Sequence, residues 1–162
     1  LARALDAGTL QRNFQGYSTH GQCDLVGLGM SAISHVDGCF AQNARDLPGY
    51  YQALEQGRLA IARGIAMDAE DLLRAEMIQS VMCRNRVEFA AIERRFAIRF
   101  EQHFAPELER LRTLADDGLV SMGEGGFTVT PRGRLLLRVV AMVFDASLQR
   151  PSVPVRGFSR VI

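Results

Sequence analysis

Large apolar residues recur along this chain at two different periods, and the switch between them divides it into two parts. Leu1 to Leu10, LARALDAGTL, has the spacing of a helix end, stopped by Gly8. Gln11 to Gln22 is rich in Gly, Ser, Thr and Asn and predicts a loop with a short extended piece. From Leu25 to Met30 large apolar residues are interspersed with Gly27 and Gly29. That pattern predicts a buried strand over Asp24–Met30 whose two glycines bare one face, because side chains alternate with period two. A bulge, a ligand or another backbone would use the room, and a core strand crossed tightly by a helix is the plainest version. Ser31 to Val36 is expected to turn, Asp37-Gly38 to form a tight turn, and Cys39 to Gln42 to return as a strand. A helix over Gly49–Gln56 follows, with Tyr50, Tyr51 and Leu54 on its buried side and Gly57 as its stop.

Gly57 is the expected boundary between the two parts, and from Asp68 the pattern is helical. Asp68 is a good N-cap, with acids in the first turn and Leu73, Met77 and Val81 four residues apart. Val87–Phe100 predicts a second helix through Ile92, Phe96 and Phe100. Pro106 opens a third, with Leu108, Leu111 and Ala115 on one face and Gly118 as its stop. A hairpin near 119–130 is written as Leu119–Met122, the turn Gly123-Glu124-Gly125-Gly126, and Phe127–Thr130. Thr130 can cap and Pro131 can start a final helix to about Leu148 through Leu135, Leu136, Val139, Val140 and Val143. Pro151 and Pro154 then break regular structure. The expected fold class is α+β, mainly helical, in two parts: residues 1–57 and a helical domain over 58–162.

Composition narrows the function. At 162 residues and 48% hydrophobic, the chain can bury one good core or two small ones. No run approaches the roughly 20 apolar residues of a membrane span, and no leader pattern is present, so a cytoplasmic protein without membrane contact is expected. A formal charge of +1 gives no general attraction to nucleic acid. All 19 basic residues are arginine, a bias that codon usage explains. Helices followed by a glycine-tipped hairpin form a winged-helix pattern, with Arg132, Arg134 and Arg138 as the surface that would meet phosphates. A nucleic-acid-binding or interaction module without catalysis is therefore the alternative function. The neighbouring acids argue against it, as Glu93 and Glu101 do around Arg94, Arg95 and Arg99.

Cys23, Cys39 and Cys83 are too far apart in sequence for neighbouring thiolates to share a metal, and no second pair completes a site with His20 and Cys23. No metal site is expected. Nor is stand-alone catalysis: the His20–Cys23 pair lacks an orienting third group, and Glu70-Asp71 and Asp116-Asp117 read as helix acids.

The string RNFQGYST, from Arg12 to Thr19, followed by DLVGLGMSAIS, resembles the end of the catalytic barrel in oxygen-independent coproporphyrinogen III oxidases. FAQN, GYYQAL, RGIAM, DGLV, TVTPRGRLLLR and FSRVI extend the resemblance over essentially the whole chain. The family consists of radical S-adenosylmethionine (SAM) enzymes of haem biosynthesis. The resemblance implies that residues 1–57 end a (β/α) radical-SAM barrel, through its last strand, hairpin and connecting helix. Residues 58–162 would be a helical carboxy-terminal domain with a winged-helix-like hairpin. It implies oxidative decarboxylation of two propionates of the four-carboxylate substrate coproporphyrinogen III to vinyl groups, giving protoporphyrinogen IX. It also implies SAM and a [4Fe-4S] cluster in the complete protein, whose cluster motif C-x3-C-x2-C belongs to an amino-terminal half absent from this chain. By the same resemblance Phe14, Gln15 and Ile33 lie beside SAM, and the complete protein is a monomer.

Overall fold

The computed structural model describes residues 1–148 except Phe14 and Gln22. Ala2–Asp6 (α1) leads to a hairpin of Gln11–Asn13 (β1) and Gly16–Ser18 (β2). Ile33–Val36 (β3), Cys39–Asn43 (β4) and Ile61–Ala66 (β5) form an antiparallel sheet in the order β3-β4-β5, with Leu47–Glu55 (α2) between its last two strands. Then come Ala69–Gln79 (α3), continued by a π-helical turn Ser80–Arg84, and Arg86–Glu88 (β6). Phe89–Phe96 (α4), Phe100–His103 (α5) and Ala105–Asp116 (α6) follow. Val120–Gly123 (β7) and Gly126–Val129 (β8) pair as the expected hairpin, and β6 joins β8 to give the order β6-β8-β7. Pro131–Leu135 (α7), Leu137–Met142 (α8) and a short 3-10 turn complete the described chain.

The helical part encloses the core. Met77, Val81, Phe100, Phe104, Leu111, Val140 and Phe144 are fully buried there. The Phe104 ring lies 4.9 Å from Phe100 and meets Phe144 edge-on at 5.5 Å, an arrangement aromatic quadrupoles favour. Ala4 and Leu10 from the chain's start are buried in the same cluster, so α1 packs on the helices rather than standing apart. The β1–β2 hairpin is fastened to the π turn's neighbourhood: the Arg12 amide donates to Gln79 Oε1 at 3.2 Å, and Tyr17 Oη to the Met82 carbonyl at 3.4 Å.

Local chemistry explains the ends that form where the sequence puts them. Asp68 and Asp71 make a reciprocal capping box at the start of α3. Thr130 Oγ1 accepts from the Gly133 amide at 3.0 Å at the start of α7. Gly57 and Gly118 stop α2 and α6 with φ of 66° and 72°, backbone that a side chain opposes.

Several expectations are corrected. Asp24–Met30 is not a strand; its ladder is a single bridge between Leu25 and His35. Ile33–Val36 is a strand rather than a turn, paired with β4 from Ile33↔Gln42 to Val36↔Cys39. The helix expected over Val87–Phe100 begins as β6 and is broken at Ala97, whose φ of 54° is left-handed. The Glu93 carboxylate captures the Phe100 amide at 2.8 Å, starting a new helix there. The helix expected to about Leu148 bends at Leu136, where φ is −117°, and ends at Met142. Its inner face is Val140, Ala141, Val143 and Phe144, while Leu135, Leu136 and Val139 are exposed. On α2 the buried residue is Ala53, with Tyr51 and Leu54 outward. Strand β5 lies past residue 57 yet pairs with β4, so the β3–β4–β5 sheet extends across the expected division. Pro151, Pro154 and the FSRVI string lie outside the described residues.

Candidate functional site

The site is built on one face of the β3–β4–β5 sheet. Residues directly opposite in antiparallel strands point to the same side. The register pairs Ile33 with Gln42 and Gln42 with Arg63; one step on, it pairs His35 with Phe40 and Phe40 with Ile65. All six side chains therefore share a face. Ile33, Phe40, Gln42, Arg63 and Ile65 line a hollow of about 390 Å³ over it. A second hollow of about 390 Å³ shares Phe40 and Ile65 and runs on past Met67, Arg74 and Phe144.

The floor is apolar, with the His35 ring stacked on Phe40 at 4.3 Å. Its polar groups are coupled. Gln42 Nε2 donates to the Ser31 carbonyl at 3.0 Å, which aims Gln42 Oε1 at Arg63 Nε, 2.8 Å away. Arg74, at the edge of the second hollow, is committed elsewhere. It pairs with Glu70 at 2.5 Å and Glu107 at 3.0 Å and donates to the Phe144 carbonyl at 3.2 Å. Burial alone would lower its pKa, but hydrogen bonds and charge from Glu107 and Glu70 outweigh burial and raise it.

The glycine segment borders this sheet and is held by side chains. The Gly27 amide donates to Ser34 Oγ at 3.0 Å and the Gly29 amide to Tyr50 Oη at 3.1 Å. Asn43 Nδ2 donates to the carbonyls of Gly27 and Gly29, at 3.2 and 2.8 Å. What needs the room at Gly27 is backbone: a Cβ there would lie 2.6 Å from the Ile33 carbonyl oxygen. Gly29 is required instead by its φ of 98°.

Of the three residues expected beside a cofactor, Ile33 lines the hollow, half-buried. Gln15 is exposed at the tip of the β1–β2 hairpin, on a different sheet, its amide donating to Asn13 Oδ1 at 2.9 Å. Phe14 lies outside the described residues. Sequence reasoning missed Gln42 and Arg63 as a coupled pair. The available signal was that FAQN and RGIAM both belong to the family resemblance. Cys23 and Cys39 are exposed and Cys83 is buried, its thiol pKa raised by burial. No group of three or more His, Cys, Asp or Glu side chains able to hold a metal occurs among the described residues, so they do not fit an iron–sulfur cluster. Among the same residues, no helix is long and apolar enough to cross a membrane.

Past this sheet, residues 67–136 match the HemN C-terminal domain family. Over its whole length the chain is similar to oxygen-independent coproporphyrinogen III oxidases, as RNFQGYST and the strings after it indicate. It is 45% identical to that of Escherichia coli over 162 residues and 47% to that of Pseudomonas aeruginosa over 165, covering 35% of each. The protein from Thermostichus vulcanus is 42% identical, and the chain covers 50% of it. The fold is similar to the solved structure described as coproporphyrinogen III oxidase (HemN) from Escherichia coli, a radical SAM enzyme. The TM-score is 0.87 at 44% identity, over 90% of this chain and 34% of that one. The chain thus spans about a third of the length of the first relatives.

Proposed function

We propose that this chain is the carboxy-terminal part of an oxygen-independent coproporphyrinogen III oxidase. The complete protein would convert two propionates of coproporphyrinogen III to vinyls, releasing carbon dioxide and giving protoporphyrinogen IX. What carries the reading is the similarity of all 162 residues, at 45% identity, to a protein of that name. The [4Fe-4S] cluster would be held by the amino-terminal part, since the cysteines here do not fit it. Bound SAM would supply the radical that takes a hydrogen atom from the propionate; the protein's task is orientation and exclusion of water. In this chain Ile33 would offer SAM an apolar wall, while Phe14 and Gln15 would approach it from the β1–β2 loop, Gln15 through its carboxamide. The sheet would be the end of the barrel, and keeping β5 with it moves the domain boundary from residue 57 to about 66. The helices and β6–β8–β7 would cover the barrel, the winged-helix-like hairpin serving packing. The complete protein is expected in the cytoplasm as a monomer.

The test is anaerobic turnover by the complete protein with a reconstituted cluster. SAM-dependent release of carbon dioxide from coproporphyrinogen III is expected, and it should be strongly reduced by Ile33→Asp, which puts a carboxylate against an apolar ligand surface. No turnover by the parent protein at full cluster content would refute the reading.

A further inference from the structure

We propose that Arg63 is a substrate-binding residue that takes a propionate carboxylate of the porphyrinogen in the hollow above the β3–β4–β5 sheet. The inference rests on the function proposed above and adds to it the group that reads the substrate's charge.

Three observations carry it. Firstly, Arg63 is the one cationic side chain lining that hollow among the described residues, and it shares a face with Ile33, His35, Phe40 and Ile65. A ring resting on this apolar floor would bring a peripheral carboxylate to Arg63, which stands two strand spacings from Ile33, about 10 Å. Secondly, the guanidinium is held on one side only. Nε donates to Gln42 Oε1 at 2.8 Å, and Gln42 is itself fixed by the Ser31 carbonyl at 3.0 Å. No hydrogen bond or ion pair engages its two Nη groups among the described residues, leaving a flat pair of donors with the geometry a carboxylate accepts. Thirdly, the arginine of the adjoining hollow is unsuited to the task. Arg74 already gives Nε to Glu70 and Nη1 to Glu107 and the Phe144 carbonyl, so a ligand carboxylate there would meet a partly occupied fork beside two carboxylates.

Strand geometry keeps this arrangement in place. Gly64 follows Arg63, and a Cβ at that position would lie 2.8 Å from the Phe40 carbonyl oxygen, so β5 can lie close against β4 only with glycine there. The close approach keeps Arg63 in register with Gln42.

The test uses the complete protein and fluorescence titration, which requires no turnover. The probes are coproporphyrin III, the tetracarboxylate; its tetramethyl ester, which keeps the ring and loses the charges; and S-adenosylhomocysteine, which carries the amino-acid carboxylate of SAM. Arg63→Gln should weaken coproporphyrin III binding about tenfold or more, as expected for losing a charge-assisted pair. Arg63→Lys, keeping the charge without the fork, should lose less. Binding of the ester and of S-adenosylhomocysteine should not change. An equal loss for the ester would make Arg63 an apolar contact, and a loss confined to S-adenosylhomocysteine would move its carboxylate to SAM; either overturns the proposal. Unchanged coproporphyrin binding by Arg63→Gln overturns it too, even where the parent protein turns over normally. A parent protein that binds the porphyrin through Arg63 yet does not turn it over would refute the proposed reaction and leave this site standing.

Discussion

Replacing Arg74 with methionine removes a heavily buried cation from between its partners. Its side chain is 16% exposed, and it faces Glu107, 3% exposed, at 3.0 Å. The guanidinium also donates to the Phe144 carbonyl at 3.2 Å and lies over the Phe104 ring, 5.4 Å from its centre. Arg74→Met leaves a carboxylate in the core with, among the described residues, only Arg110, 3.3 Å away, to balance it. Breaking one partner of a buried pair costs about 3–5 kcal/mol, and the remaining arginine puts this case near the lower end, about 3 kcal/mol. For a chain of this size each kcal/mol moves the melting temperature about 2–4 °C, so a fall of roughly 6–12 °C is expected. Replacing Glu107 as well removes the stranded charge, and Arg74→Met/Glu107→Met should recover most of the loss, since buried pairs exchange for apolar contacts at little net cost. Urea unfolding followed by circular dichroism on the parent, both single variants and the double variant gives the coupling energy directly. A coupling below about 0.5 kcal/mol, the ordinary error of additivity, would refute the reasoning.

Four more expectations concern the frame around the site and the core. Gly133→Ala should destabilise by about 1–3 kcal/mol or more, because the new Cβ would overlap the Leu119 carbonyl oxygen and sit 2.8 Å from Val129 Cγ1; wild-type thermal stability would contradict this. Asp68→Ala removes the acceptor of the Asp71 amide, 2.8 Å away, and should cost about 1 kcal/mol, read as a lower urea midpoint at unchanged slope. Two thiols, Cys23 and Cys39, should react with a thiol reagent in the native protein and Cys83 only on unfolding. Because burial raises the Cys83 pKa, its contribution to stability is complete below the ordinary value of 9.0 and is lost as pH rises through the higher folded value. Cys83→Ala should therefore lose less stability than the parent above about pH 9, and identical alkaline profiles would sink the assignment.

The sequence was most legible where a few adjacent residues settle the backbone. Asp68 with Asp71, Pro106, Gly118, the Gly123–Gly126 turn and Thr130 each act within about four residues, and each marks an end or a turn of the structure. It was least legible where the partner lies far along the chain. Strand β6 is three residues long and exists because β8 accepts it some forty residues later, so a helical reading of Val87 was locally reasonable. Ala97 has no residue type that announces a left-handed break; the Glu93 carboxylate bonded to the Phe100 amide accompanies it.

Asp24–Met30 failed as a strand for the same reason, and the failure explains why its glycines are there. A strand's backbone groups are satisfied by a neighbouring strand, yet beyond the Leu25–His35 bridge those of the two glycines are met by side chains: Ser34 for the Gly27 amide, Tyr50 for the Gly29 amide, and Asn43 for the carbonyls of both. Those side chains come from β3, α2 and β4, so the segment's path depends on contacts from the sheet and α2. The open choice among bulge, ligand and backbone is resolved at Gly27 by the Ile33 carbonyl, which fills the space a side chain would need. The contact ties the glycine segment to the residue that lines the hollow. Asn43 holds that segment from β4, and Gln42, one residue before it, holds Arg63. The two amides of FAQN thus work from one strand, Asn43 fixing the segment that packs against Ile33 and Gln42 the cation across from it.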